Sequence, residues 1–254
     1  MAASDAHSGH QKPGALPAPG ALRAGEHRSV ADYAWEFLRR NPDYRADFQR
    51  SAGERGTARD TINPHWGLRF PADPAVAAGR AEVFWRPDIA PGVVIPLDAD
   101  DATSDPPAAR LGPVGPLRRD EDGLHLRMGG GLQLFLRGAA RADGPLIVVL
   151  ALDQDFGLRV RAVQALHRAV TGAEPPRSRL TAAQRLRLDR SLTALDGALN
   201  QESYRTIAET LFGAAVVERE IWKTSSVRGV TIRLVHTGKA LMRGGYLKLL
   251  KGGL

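Results

Sequence analysis

The sequence predicts an α+β protein: a mixed N-terminal region with a small antiparallel sheet and helices, then an all-helical, helix-turn-helix-like C-terminal domain. Three observations carry that class. Apolar residues recur at helical spacing near both ends of the chain, apolar and polar residues alternate between positions 124 and 136, and the basic excess lies in the last third. The 254 residues suffice to bury a sizeable core.

Residues 1–28 are Ala, Gly, Pro, Ser and His with few large apolar side chains, the composition of a disordered tail. Order is expected from Ser29. In SVADYAWEFLRRNPDYRADFQR, Tyr33, Trp35, Phe37 and Leu38 lie close together and Tyr44 and Phe48 are four apart. This predicts a helix to about Arg40, a break at Asn41-Pro42, and a second helix opening with Pro42 and Asp43. At that spacing the aromatics read as core rather than as a base-stacking surface.

From Trp66 to Leu97 short β-prone pieces, Glu82–Trp85 and Gly92–Ile95, alternate with prolines, so irregular structure with one or two short strands is expected. Residues 98–123 are polar and proline-rich. Asp98, Asp100 and Asp101 have the oxygen donors of a hard-metal site, but no Glu follows at calcium-loop spacing, so an exposed acidic linker is the expectation. Next, Leu124, Leu126 and Met128 alternate with polar residues, as do Leu132, Leu134 and Leu136 after Gly129–Gly131. That is a hairpin with a glycine turn; no helix start or Lys-Ser/Thr follows to make a phosphate cradle. Pro145–Leu152 (PLIVVLAL) reads as a third, fully buried strand. Asp153 or Asp155 would cap the next helix, with Phe156, Val160, Val163, Leu166 and Val170 on one face and Gly172 as its stop. The hairpin, strand and helix define a small unit over 124–173, and Glu174-Pro175-Pro176 a boundary.

Beyond the boundary the chain turns basic. Residues 177–254 hold 14 Lys+Arg and 6 Asp+Glu, a net +8, whereas the whole chain is +7 and residues 1–176 are therefore −1. This asymmetry points to an anionic partner. Thr181 and Gln184 form a capping-box pattern ahead of Leu186, Leu188, Leu192, Leu195 and Leu199. Ser203 opens a second helix with Ile207, Ala208 and Leu211 inward and Gly213 as its stop; small Ala208 lets another helix cross closely. Thr224 or Ser225 caps a third helix over 225–241, with Val227, Val230, Leu234, Val235 and Leu241 inward and Ser226, Arg228, Thr231, Arg233 and His236 near the outer side. Ser, Thr and Arg at the start of an exposed helix suit phosphates and guanine edges. Lys239, Arg243, Lys248 and Lys251 continue the charge. The link from Gly213 to Thr224 exceeds the three or four residues usual in a helix-turn-helix.

The stretch YRTIAETLFG…WKTSSVRGVTIRLVHTGKALMRGGYLKLL resembles the DNA-binding domain of the RovC-like transcription factors, and TAAQRLRLDRSLTALDGAL resembles that domain's opening helix. AWEFLRRNPDYRADF, WGLRFPADP and VFWRPDIAPGVV are similar to the transcriptional-regulator-like domain that often precedes it, over 29–97. The resemblance implies bacterial transcription control by sequence-specific binding to double-stranded DNA. Its matching positions favour Tyr204, Arg205, Lys223, Thr224, Ser225, Ser226, Arg228, Arg233 and Arg243 as contacts, with Lys239 added from the charge pattern. Gly229 and Val230 stand where charged residues are common in the family.

Other classes find little support. With no cysteine there is no disulfide, thiolate zinc site or cysteine nucleophile. There is no HExxH, Walker loop or GxGxxG, and the histidines are scattered, so neither catalytic nor metal residues nor a cofactor are expected. The longest apolar run, eight residues, falls short of the roughly 20 a membrane helix needs, and no secretory pattern opens the chain. A cytoplasmic, nucleoid-associated protein, able to form homo-oligomers through its N-terminal region, is the expectation. A non-catalytic protein that turns the basic bundle toward RNA or a protein partner is the alternative.

Overall fold

The computed structural model describes residues 28–53, 62–100, 111, 115–173 and 179–253. The tail through residue 27, Asp101 and the Glu174-Pro175-Pro176 boundary lie outside them. Helix α1 (Val30–Leu38) opens at Ser29 with a full capping box: Ser29 Oγ accepts from Asp32 N (3.2 Å), and Asp32 Oδ2 accepts from Ser29 N (2.8 Å). Nearly every α1 side chain is buried, from Val30 through Tyr33, Trp35, Phe37 and Leu38. A helix buried all round must be central to its fold. The break falls at Asn41, whose Oδ1 accepts from Asp43 N (2.8 Å), and α2 (Pro42–Gly53) starts with proline where a helix needs no N–H donor. The aromatics are core: Trp35, Tyr44 and Trp66 pack edge to face with centroids 5.6–5.7 Å apart.

The sheet is larger and more mixed than the sequence reading. Five strands, β1 (Val94–Ala99), β2 (Leu117–Arg119), β3 (Gly123–Arg127), β4 (Gln133–Arg137) and β5 (Leu146–Val148), lie in the order β2-β3-β4-β1-β5. The β3–β4 hairpin is present, with Gly130 and Gly131 at positive φ in the expected glycine turn. However, β1 inserts between β4 and β5, parallel to β4 and antiparallel to β5, so the three antiparallel strands of the sequence reading are not a unit. Both β2 and the end of β1 fall in the stretch read as linker. Asp98, considered for a metal, instead accepts from Arg137 Nε at 2.6 Å. Among the described residues no group of three His, Asp or Glu side chains could hold a metal ion. Buried His125 stacks on Phe135 at 4.4 Å. Burial holds its pKa below the usual histidine value despite Asp120 at 3.0 Å.

A second correction concerns Pro145–Leu152. Only Leu146–Val148 is strand, and the run is not buried: Ile147 is 40% exposed, Val149 47% and Leu152 87%. Helix α3 (Phe156–Val170) turns only Ala162 and Leu166 fully inward, and its N-cap Asp155 makes no side-chain capping bond.

The C-terminal helices are α4 (Ala182–Leu199), α5 (Tyr204–Phe212), α6 (Ala214–Val217), α7 (Ser226–Ala240) and α8 (Tyr246–Leu250). One hydrophobic core joins α1 and the residues around Trp66 and Trp85 to Leu188, Leu192 and Leu195 of α4 and to Met242, Tyr246, Leu249 and Leu250. Between α7 and α8 the chain makes a π-turn, Leu241–Gly245, in which Gly244 takes φ +120°, a conformation open to glycine but not to L side chains. Asn41 Nδ2 donates to the Met242 carbonyl in that turn (3.1 Å).

At the heart of this core, Glu36 is 1% exposed. Its carboxylate accepts from Ala78 N (2.9 Å), Arg39 Nε (2.8 Å) and Arg40 Nη1 (2.7 Å), and Arg40 forks onto Asp196 of α4 at 2.5 and 2.8 Å. Burial pushes the Glu36 pKa up, but the Ala78 amide and the two guanidiniums outweigh it and hold the carboxyl below its ordinary 4.5. A depressed pKa contributes stability that is complete above the unfolded-state value near 4.5 and is lost as pH falls through the folded-state value. Glu36→Gln should therefore lower stability at pH 7, by about 3–5 kcal/mol as for other broken buried pairs, and flatten its acid limb. Urea unfolding at pH 7 and pH 4 checks both. Residues 177–254 expressed alone should lack cooperative unfolding, because their inner face packs against α1; near-UV dichroism on heating reads this directly.

Candidate nucleic-acid interface

Each of the three long C-terminal helices starts on the cap its sequence marks. Thr181 Oγ1 accepts from Gln184 N (3.1 Å) while Gln184 Oε1 accepts from Thr181 N (2.8 Å). Ser203 caps α5 through Thr206 N (3.1 Å), and Ser225 caps α7 through Arg228 N (3.1 Å). Ala194, Ile207, Leu234 and Val235 form the core among them, with Leu211, Phe212 and Val230 packed at its edge. Leu186, read as part of the α4 stripe, is 50% exposed and lies off it.

Small residues bring α7 down onto α4. A Cβ on Gly238 would sit 2.7 Å from the Ser191 carbonyl oxygen and 2.9 Å from Leu195 Cβ. Ser191 and Thr231 are fully buried there, and Thr231 Oγ1 donates to Val227 O (2.8 Å). Thr231, placed near the outer side by the sequence reading, is therefore interior. It sits on the same arc as Leu234, Val235 and Gly238, and its hydroxyl is satisfied within its own helix.

The opposite arc of α7 is exposed. At 100° per residue, Ser226, Gly229, Arg233 and His236 fall within one quadrant, and Arg228 lies at the far edge of the solvent-facing side. Ser226, Arg228, Arg233 and His236 are exposed, as are Lys223 and Thr224 just before the helix and Arg243 just after it; Lys239 is half-buried. Ser225 is buried and committed to its cap. Tyr204 and Arg205 open α5 on the surface, Arg205 paired with Glu209 at 3.1 Å. The proposed set thus divides between the start of α5 and the length of α7. Two features escaped the sequence reading. Glu220 Oε2 accepts from Ser226 N (3.1 Å) at the start of α7, six residues away and in no local motif. Arg190 lies over the Phe212 ring at 5.3 Å, a contact between helices.

The long link between α5 and α7 holds α6, seated by buried Val217, so the helix pair is joined by a short helix plus a loop rather than a tight turn. No helix among the described residues is long and apolar enough to cross a membrane.

Electrostatics separates the two halves. Among the described residues the front arginines are largely paired with carboxylates, including Arg69 with Asp122, Arg86 with Asp88, Arg137 with Asp98 and Arg159 with Asp153. Two of the carboxylates in the C-terminal third, Asp189 and Asp196, are taken by Arg28 and Arg40 of the front. Arg228, Arg233 and Arg243 have no such partner among the described residues.

Comparison with protein families places residues 149–251 in the RovC DNA-binding domain, described as "T6SS, Transcription factor, DNA binding domain". Residues 17–71 match the proteobacterial transcriptional regulator-like domain. No curated protein matches the chain. Both matches are to transcription-factor domains, in the order the resemblance implied, and they support a transcriptional regulator.

The packing makes a paired prediction. Gly238→Ala gains about 1 kcal/mol of helix propensity but pushes against a backbone oxygen, an overpacking cost of about 1–3 kcal/mol, so it should destabilise. Gly229→Ala meets only Arg233 Nη1 at 3.6 Å and should stabilise. Denaturant midpoints of the two variants should move in opposite directions.

Proposed function

We propose, on the premise that this chain has the domain architecture of the RovC-like transcription factors, that it binds double-stranded DNA in a helix-turn-helix-like manner through the exposed arc of α7. The observation that carries this reading is the run of exposed residues Lys223, Thr224, Ser226, Arg228 and Arg233, whose cations have no carboxylate partner among the described residues. A guanidinium held beside a carboxylate gains little from a phosphate; one left in water releases counterions when it meets DNA. Tyr204 and Arg205 at the start of α5 supply contacts flanking α7, and Lys239 and Arg243 extend the charge.

Charge gives docking and α7 gives limited readout. Ser226 and Arg233 have donors for base edges or phosphate. Gly229, on the same face, brings no side chain to a base and leaves the helix backbone open to close approach. Ser225 acts by holding the first turn of α7, and any contact it makes is through its backbone. The front half of the chain braces α4 and α8 through the shared core, and in this reading it sets the attitude of α7.

Gel-shift titration with duplex DNA at two salt concentrations tests this. Affinity should fall steeply as salt rises, and Arg228→Ala and Arg233→Ala should each lower it and reduce the salt slope by about one. Arg137→Ala, a front arginine, should leave both unchanged. Absence of binding at low salt overturns the proposal, and tighter binding to single-stranded RNA than to duplex turns the basic helices toward RNA instead.

A further inference from the structure

The longest apolar run of the chain lies on its surface at the end of the sheet. Strand β5 is the last in the order β2-β3-β4-β1-β5, and its outer edge is unpaired among the described residues. The other open edge, β2, carries Arg118 and Arg119, the charged guard usual on strands that must stay single. Pro145–Leu152 carries no charge at all, and Ile147 and Val149 expose apolar side chains on one face of the edge. An uncharged apolar edge of this kind marks a pairing site in a soluble protein.

We infer that β5 pairs antiparallel with β5 of a second copy of this chain about a two-fold axis, joining two sheets into one of ten strands. The occupant follows from charge and register. Two copies of a chain at +7 repel, and Pro145–Leu152 is where they can meet without opposed cations. The ladder with β1 selects the alignment. Asp100 N donates to Pro145 O (3.0 Å) and Asp98 lies opposite Ile147, so residues 145 and 147 turn their backbone polar groups toward β1. Leu146 and Val148 therefore turn theirs outward. Two such edges exchange hydrogen bonds when Leu146 faces the partner's Val148 and the reverse, which sets Ile147 against its own copy on the axis. Pro145, without an N–H, falls where the outer ladder needs none. In this register Arg141 lies opposite the partner's Asp153, a favourable pairing. A shift that centres Val148 would oppose Asp143 and Asp153, two like charges.

The chain has no cysteine, so one introduced thiol reports the register. A non-hydrogen-bonded antiparallel pair holds its Cα atoms about 4.5 Å apart, within disulfide range. Full-length Ile147→Cys should oxidise in air to a covalent dimer, while Leu152→Cys, more exposed but far from the axis, should not over the same time. In sedimentation equilibrium the parent chain should be dimeric or a multiple of dimers. Ile147→Lys should lower the association state at least tenfold in affinity with far-UV dichroism unchanged, since that side chain reaches solvent. A parent chain that stays monomeric across the concentration series overturns the inference. So does an assembly unaffected by Ile147→Lys, or equal cross-linking at positions 147 and 152. None of these readouts involves DNA, so they stand or fall apart from the proposed function.

Discussion

Arg40 is the tie on which the arrangement of the two halves depends. It is 3% exposed, and its guanidinium bridges Glu36 of its own helix to Asp196 of α4. Desolvating so many charges is costly, and it is offset only because Glu36 is saturated by donors and Arg40 meets Asp196 through two parallel bonds. The consequence is directional. Apolar contacts between α1 and α4 would tolerate sliding, whereas a forked arginine–carboxylate pair allows one register and one rotation. Asn41, next in sequence, reaches the carbonyl of Met242 in the π-turn, so the same stretch of chain also sets where α7 ends and α8 begins.

That tie has an electrostatic effect at a distance. By drawing Asp189 and Asp196 inward onto Arg28 and Arg40, the front of the molecule removes two of the six carboxylates of the C-terminal third from its surface. The front's own arginines are meanwhile largely neutralised by nearby aspartates. A chain of modest net charge thereby acquires one region where cations stand alone, along α7 and just before it. The field that attracts an anionic polymer is a product of pairing, not of composition.

Elements governed by local rules were legible in the sequence. Ser29, Thr181, Ser203 and Ser225 each cap the helix they announce, because a hydroxyl reaches amides two or three residues away and needs no other part of the chain. The α1 aromatics were legible as core from their spacing. The exposed arc of α7 was legible except for Thr231, since a threonine's polarity does not tell whether its hydroxyl faces water or closes on its own helix. The sheet was read less well. Its β1–β4 pairing is parallel and spans nearly 40 residues, beyond any turn signal. PLIVVLAL was taken as buried because apolar runs usually are, but burial depends on what the rest of the chain lays over it.

By itself the sequence determined the helices with their caps, the glycine hairpin, the aromatic core segment and the placing of positive charge in the last third. These follow from backbone hydrogen bonding and periodicity, which act over a few residues. Tertiary structure alone decided that the two halves share one core, that β1 completes a mixed sheet, that Thr231 and Gly238 face α4, and that Arg228 and Arg233 stand without carboxylate partners while front arginines do not. Each of these depends on which groups meet across long separations, and desolvation and pairing energies exist only once they have met.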